Sequence, residues 1–467
     1  MVAAAHKVLP LILLLASGRA SQAQSQSLAL DQAVALARKS SEAIQVAQLA
    51  VQKSQAAMGE ARGKALPHLD FQASASYLIN PPQGYTVAPG ALGTFTLPIP
   101  TPPFVTTLQL PQSNFNVGAA LHNLFNLSAT FNQPLFTWGK IRNAIDLASL
   151  QVDAAGTDMS ARRRDIDNQV RRIYFSALLA RRSREVLTRL RDTAAEIVDD
   201  RQKGFEEGTL NKESLLEMKA TLAALEAKLV EAEQSESTAL TGLDVLTGQS
   251  TDNLELSTDF SSSLPPLDEQ ATLTRAIDGS TDLAAVRTQA EQARRKLSIE
   301  QGGAILHPDV NFGISLDISG QEDFPYSGAW TFSNNTWNVD VVLTLGVKMS
   351  AFDGLESSHR IQQAQKDVEM AGTALSQQVK TLRVQVRQAI EAARRADAEE
   401  QAASARSEYL EEKLRNAEVA LANGQTSLEE KRKASLEAGS ARLDTLLALY
   451  NRETALADIQ RITGERP

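Results

Sequence analysis

The chain has 467 residues, no cysteine and a formal charge of −9 at neutral pH. Those facts exclude disulfides, thiol chemistry, cysteine metal sites and a lipid on an N-terminal cysteine, and the acidic balance speaks against a nucleic-acid binder. Aromatic residues make up only 5%, while alanine, leucine, glutamine, glutamate and arginine fill long stretches. That composition suits long helices packed through narrow seams better than a thick globular core.

The first residues read as an export signal. Lys7 supplies positive charge, Val8 to Ala16 is apolar, and Ser21-Gln22-Ala23 offers small residues for cleavage. The signal peptide is therefore placed at 1–23, with a mature start near Gln24. No later run approaches the ~20 apolar residues of a membrane helix, so any membrane crossing must be made by strands. From Leu28 to about Ala65 the apolar positions Leu36, Ala43, Val46, Ala47 and Ala50 follow a helical period, and Pro67 ends the helix. Leu69, Phe71, Ala73, Ala75 and Tyr77 then alternate with Asp70, Gln72, Ser74 and Ser76. Successive strand residues point to opposite faces, so this strand has one apolar and one polar side. A loop rich in proline and glycine follows, from about Ile79 to Gln112. The return strand sets Leu127, Ala129 and Phe131 against Ser128, Thr130 and Asn132.

Lys140 to about Lys203 is a helix without proline; the ~70 residues between Gly139 and Gly208 span on the order of 100 Å. Phe205-Glu206-Glu207-Gly208 breaks it, because glycine suits the left-handed turn at a helix end. A second helix returns to Thr247-Gly248, and Ser261 to Pro266 reads as a linker.

The chain then repeats itself. Val152-Asp153-Ala154-Ala155-Gly156-Thr157 returns as Val368-Glu369-Met370-Ala371-Gly372-Thr373, 216 residues on, and the same offset carries Phe136 to Phe352, Gly208 to Gly424 and Thr247-Gly248 to Thr463-Gly464. Anchors this far apart in one register mark a copied structural unit. Pro308 precedes Val310, Phe312, Ile314, Leu316 and Ile318, and the return strand carries Val339, Val341, Leu343, Leu345 and Val347. The domain reading is 24–250 for the first copy, 251–285 for a linker and equatorial entry, and 286–467 for the second copy.

Such alternation has two explanations. One face of a soluble antiparallel sheet can pack on a core, or the apolar face can meet lipid. Four strands cannot close a barrel alone, and no apolar helix is left to cover the sheet. Aromatics also collect at both strand ends: Tyr85, Phe95, Phe104, Trp330, Phe332 and Trp337 at one, Phe136, Trp138 and Phe352 at the other. Two such groups flanking ~10-residue strands match the girdles of an outer-membrane barrel.

The two-copy plan, the proline before each first strand, Pro134-Leu135-Phe136-Thr137-Trp138-Gly139, Phe352-Asp353-Gly354 and the tip glycines together resemble TolC-like outer-membrane efflux proteins. The resemblance covers essentially the whole mature chain. It implies a mixed α and β membrane protein in which three chains share a twelve-stranded outer-membrane β-barrel, continued by a periplasmic α-barrel of long helical hairpins. It implies a homotrimer working with a periplasmic adaptor and an inner-membrane pump or ABC transporter, as the exit duct of tripartite efflux or type I secretion. Carried over by position, the gate residues of the family fall on Glu430 and Lys433, with Glu429 adjacent and Thr426 where the family has an arginine. An acidic ring from Glu430, with Glu429 beside it, would favour cations; solvated charges in a first helical turn are the plainer reading. The tips Phe205, Gly208 and Leu210, and Leu421, Gly424 and Ser427, are the expected docking edge for an adaptor hairpin.

His68, His122, His307 and His359 are scattered, and no nucleophile motif or phosphate loop appears. The reading is therefore no enzyme, no cofactor, no metal and no nucleic acid, with localisation in the outer membrane extending into the periplasm. The rival is a periplasmic adaptor protein, which has one helical hairpin flanked by small β-domains. A trimeric adhesin would instead show sustained heptads without a duplicated strand pair.

Overall fold

The computed structural model describes residues 27–81, 85–88, 91, 93–98, 105–110, 115–117, 122–250, 255–261, 263–322 and 337–464. The signal segment 1–23 and Phe104, Trp330 and Phe332 lie outside them. In chain order the first copy holds β1 (Ser27–Leu28), α1 (Leu30–Ser40), α2 (Glu42–Gly63), β2 (His68–Tyr77), β3 (Tyr85–Val87), β4 (Gly93–Pro98), β5 (Val105–Leu110), β6 (Phe115–Val117), β7 (Asn123–Phe136), α3 (Lys140–Glu206) and α4 (Lys212–Thr247). After β8 (Glu255–Leu256) come α5 (Glu269–Gly279), α6 (Thr281–Gly302), β9 (Asp309–Glu322), β10 (Trp337–Lys348), α7 (Glu356–Ala422) and α8 (Leu428–Thr463).

The helices repeat in length as well as in order. α1 and α5 have 11 residues, α2 and α6 have 22, α3 and α7 have 67, and α4 and α8 have 36. Three sequence expectations need correction. The helix expected over 28–65 is two helices, because Ser41 takes extended backbone (φ −64°, ψ 114°). Its amide still donates to the Ala37 carbonyl while its hydroxyl accepts from the Ile44 amide, so one serine ends α1 and caps α2. Ser280 does the same between α5 and α6. The helices of the second copy also begin at Glu269, inside the stretch read as a linker, with Asp268 capping α5 through the Ala271 amide. Finally, the first hairpin loop contains antiparallel pairs, β3 with β6 and β4 with β5.

The described chain divides into two compact units, and residues 49–156 with 285–376 form the one that carries the four-stranded sheet. Its four-stranded sheet runs β10-β9-β7-β2, antiparallel throughout. The register puts Leu343, Ile314, Phe131 and Leu69 in one apolar row, and Asp340, Asp317, Ser128 and Gln72 in a polar one. Most large apolar side chains of β2 and β10 are bare, among them Phe71, Val341 and Leu345. Lys140 at the start of α3 pairs with Asp309 at the start of β9 at 2.5 Å.

The second unit, made of 27–48, 157–284 and 377–464 among the described residues, packs helices around small residues and adds the short parallel pair of β1 and β8. Leu30, Ala33, Val34 and Ala37 of α1 bury against Val170, Tyr174, Phe175 and Ala177 of α3 and Ala239 and Leu243 of α4. The Tyr174 hydroxyl donates to the Leu28 carbonyl (2.8 Å) and accepts from the Thr258 amide (2.9 Å), and burial pushes its pKa up. Further along α3, Val186, Leu187 and Leu190 meet Ala232 of α4 and Leu446 of α8. Leu410 and Leu414 of α7 meet Ala438 and Ala441 of α8. The helices therefore lie side by side in the order α4-α3-α8-α7.

Candidate functional site

The two helix tips are built alike. At the end of α3 the Thr209 amide donates to the Gly204 carbonyl (2.8 Å) and the Gly208 amide to the Phe205 carbonyl (3.1 Å). At the end of α7 the Gln425 amide donates to Ala420 (2.8 Å) and the Gly424 amide to Leu421 (3.0 Å). Both are Schellman closures, which need a left-handed residue after the helix; Gly208 and Gly424 supply it at φ 72° and 71°. Asn211 caps α4 through the Ser214 amide, and Ser427 caps α8 through the Glu430 amide. Phe205, Leu210 and Leu428 are exposed at these tips, Ser427 and both tip glycines are exposed, and Leu421 is half-buried.

The residues expected at the gate divide by partner. Glu429 is held by Arg201, Nη2 to Oε1 at 2.7 Å, while the same guanidinium donates to the Ser214 carbonyl at 2.7 Å. Glu430 instead accepts from the Thr426 hydroxyl at 2.7 Å, and among the described residues no cation lies within ion-pair distance of it. Lys433 is exposed. Sequence reasoning missed the two arginines that tie α3 to α8 here. Besides Arg201, Arg432 binds Glu196 (3.1 Å) and Asp200. The one available clue was the acidic pair Glu196 and Asp200, one helical turn apart on the same face.

At the strand ends, Phe136, Trp138 and Phe352 are exposed. Trp138 stacks on His307 (4.2 Å between centroids, 11°) and donates its indole N–H to the Pro308 carbonyl at 3.0 Å. At the far end Trp337 lies over Gly320, where any Cβ would collide with its ring, and stacks on Phe125 at 6.0 Å. Just past β10, Asp353 accepts from Ser357 at the start of α7, which holds its carboxyl below the usual range. His307 thus serves a stack, and the described residues hold no group of three metal-ligand side chains.

A family model of the outer membrane efflux protein matches residues 33–249 and 272–465, nearly every described helix and strand. The chain belongs to the outer membrane efflux protein family. The unmatched stretch between those blocks falls between the end of α4 and the first turn of α5. Solved channels share the fold at low identity. The CmeC outer membrane channel of Campylobacter jejuni is 16% identical, with a TM-score of 0.69 over 93% of this chain and 85% of that one. VceC from Vibrio cholerae is 16% identical, with a TM-score of 0.69 over 93% and 96%. The open-state MtrE channel of Neisseria gonorrhoeae is 16% identical, with a TM-score of 0.70 over 93% and 88%. No curated protein matches the chain in sequence.

As an outer membrane efflux protein, the chain is an exit duct for substrates leaving the cell, and the resemblance to TolC-like channels holds. The family consists of conduits that work with an adaptor and an inner-membrane pump. The periplasmic-adaptor alternative is thereby displaced.

Proposed function

We propose that three copies of this efflux protein form one duct, a twelve-stranded barrel in the outer membrane continued by a periplasmic helical tube. The observation that carries the reading is the sheet itself: four strands, two open edges and a bare apolar face. Unpaired backbone groups are too costly to leave in lipid, so the edges must find strands from other chains. The apolar face then meets lipid between aromatic girdles, and the polar rows of Asp340, Asp317 and Ser128 line water. The signal at 1–23 delivers the chain, and with no cysteine it carries no lipid anchor. The tips around Gly208 and Gly424 dock the hairpin of an adaptor. Native mass of the protein extracted in detergent from the outer-membrane fraction tests this. Three chains per particle are expected; a soluble periplasmic monomer overturns it.

The same reading makes Glu430 the charge that passing ions meet. Glu429 is neutralised by Arg201 at 2.7 Å, whereas Glu430 accepts from the uncharged Thr426 hydroxyl and, among the described residues, makes no ion pair. In planar bilayers, Glu430→Gln is expected to lower the preference for K⁺ over Cl⁻ at least twofold, while removing the balanced pair together, Arg201→Gln with Glu429→Gln, leaves it within error. Equal effects of the two variants, or none from either, remove Glu430 from the selectivity path.

A further inference from the structure

We propose that Arg164 and Arg171 of α3 and Arg461 of α8 form an oxyanion site, one that takes a carboxylate or a phosphate through two of its oxygens. The proposal concerns the fold of one chain and stands whether or not copies assemble. The three arginines line one cavity of about 30 Å³, together with Asp167 and Asn168. A water needs roughly 10–15 Å³ of such space, so the cavity holds about two oxygen-sized atoms. That is the edge of a carboxylate or one face of a phosphate; a larger ligand does not enter whole.

The carboxylates and the asparagine around the cavity are already committed. Asp167, one helical turn before Arg171, would be its ordinary partner. Arg38 holds both Asp167 oxygens instead, Nε to Oδ1 at 2.7 Å and Nη2 to Oδ2 at 2.5 Å. Asn168 donates its amide to the Ala457 carbonyl at 3.2 Å and accepts from Arg172 Nε at 2.8 Å. Asp458 of α8 is held by Arg172 at 2.5 Å. Arg164 donates one N–H to the Gly279 carbonyl at the end of α5, at 2.6 Å. Among the described residues, the side chains of Arg171 and Arg461 have no hydrogen bond or ion pair. Arg461 lies in the last turn of α8, where a cation suits the carbonyl end of the helix. Arg171 has no such excuse: it lies within α3 and is half-buried. Desolvation pulls its pKa below the usual guanidinium value, and Glu453, Asp31 and Asp167 offset this only in part. A guanidinium that loses water without gaining an anion is costly.

The internal repeat shows what Arg171 lacks. Its equivalent 216 residues on is Arg387, which pairs with Glu391 one turn later at 3.1 Å. The equivalent of Glu391 in the first copy is Phe175, buried in the core with Val170 and Tyr174. The first copy thus has the cation and, where the second has its carboxylate, a core ring. The anion for Arg171 therefore comes from outside the described residues. Two sources carry the right chemistry: an oxyanion in solution, and Glu465, the first carboxylate after Gly464 in the sequence. Either meets the planar guanidinium fork through paired N–H groups. With the anion in place, α3 and α8 share it; without it, three like charges line one cavity.

The test uses the full-length protein in detergent, titrated with inorganic phosphate while sodium chloride holds the ionic strength constant. Binding is read by calorimetry and by the thermal midpoint of helical circular dichroism, which rises with any ligand that binds only the folded chain. Saturable binding is expected, weakened at least tenfold by Arg171→Met and unchanged by Arg387→Met. Where Glu465 fills the cavity, the unaltered protein binds no phosphate, and Glu465→Gln opens the site with the same dependence on Arg171. Binding in neither protein, or binding that Arg171→Met leaves intact, overturns the proposal. If Arg171→Met does not fold, Arg461→Gln at the exposed rim carries the test. At least threefold weaker binding is then expected, and no change overturns the site.

Discussion

Leu343→Arg is expected to strip most of the protein from the outer membrane, whereas Thr344→Arg, one residue on, leaves assembly intact. Leu343 lies mid-strand in β10, 69% exposed, in the apolar row with Ile314, Phe131 and Leu69. Arginine on the lipid side of a barrel near the bilayer midplane costs about 2–4 kcal/mol, and a trimer incurs that cost three times. Thr344 points to the other side, in the row of Gly313 and Asn132, where an arginine stays hydrated. The measurement is the quantity of folded protein in the outer-membrane fraction at equal synthesis, followed by urea unfolding of what remains. Equal tolerance of both substitutions would mean that the apolar face does not meet lipid. A lower K⁺ preference in Thr344→Arg channels would place that face on the conducting path.

The second large effect belongs to Arg452. Its side chain is 2% exposed, bonds Glu400 at 2.7 Å, lies 3.8 Å from Asp397 and also donates to the Ser261 carbonyl. The adjacent Glu453 accepts from the Ser261 amide at 2.5 Å, so two neighbouring charges of α8 hold both backbone groups of one residue. Arg452→Ala leaves a largely buried carboxylate without its cation and a carbonyl without its donor. Breaking a buried pair in this way costs about 3–5 kcal/mol, read as a lower midpoint for thermal loss of helical circular dichroism in detergent. Adding Glu400→Gln to Arg452→Ala is expected to recover part of the loss, because the stranded charge is gone. Arg387→Ala, which removes only an exposed pair with Glu391 one turn away, is expected to change stability by less than about 0.5 kcal/mol. A small effect at Arg452 would mean that water reaches the Glu400 carboxylate.

Both predictions depend on features that differ in how far they could be read in advance. The face of Leu343 was legible, because side chains alternate along a strand whatever the strand later pairs with. The burial of Arg452 was not. In the sequence it is one arginine of a charged helix, and its partners come from α7, 52 residues back, and from the segment around Ser261. The same holds at the tips. Gly208 and Gly424 marked the turns because a left-handed residue is a local demand, while Arg201 reaches Glu429 across 228 positions.

The sequence by itself determined the duplication, the four strands with their apolar and polar faces, the long helices and their glycine turns, and the family these resemble. All of these follow from periodicity, turn chemistry or repetition at fixed spacing, which nearby residues carry. Tertiary structure decided the break at Ser41, the short pairs inside the first loop, the order β10-β9-β7-β2 and the lateral order α4-α3-α8-α7. A serine can continue a helix or cap the next, and only packing of α1 on α3 and α4 selects the cap. Which strand lies beside which, and which arginine holds which carboxylate, is set by contacts between residues far apart in the chain, 52 positions for Arg452 with Glu400 and 228 for Arg201 with Glu429. No local pattern encodes them.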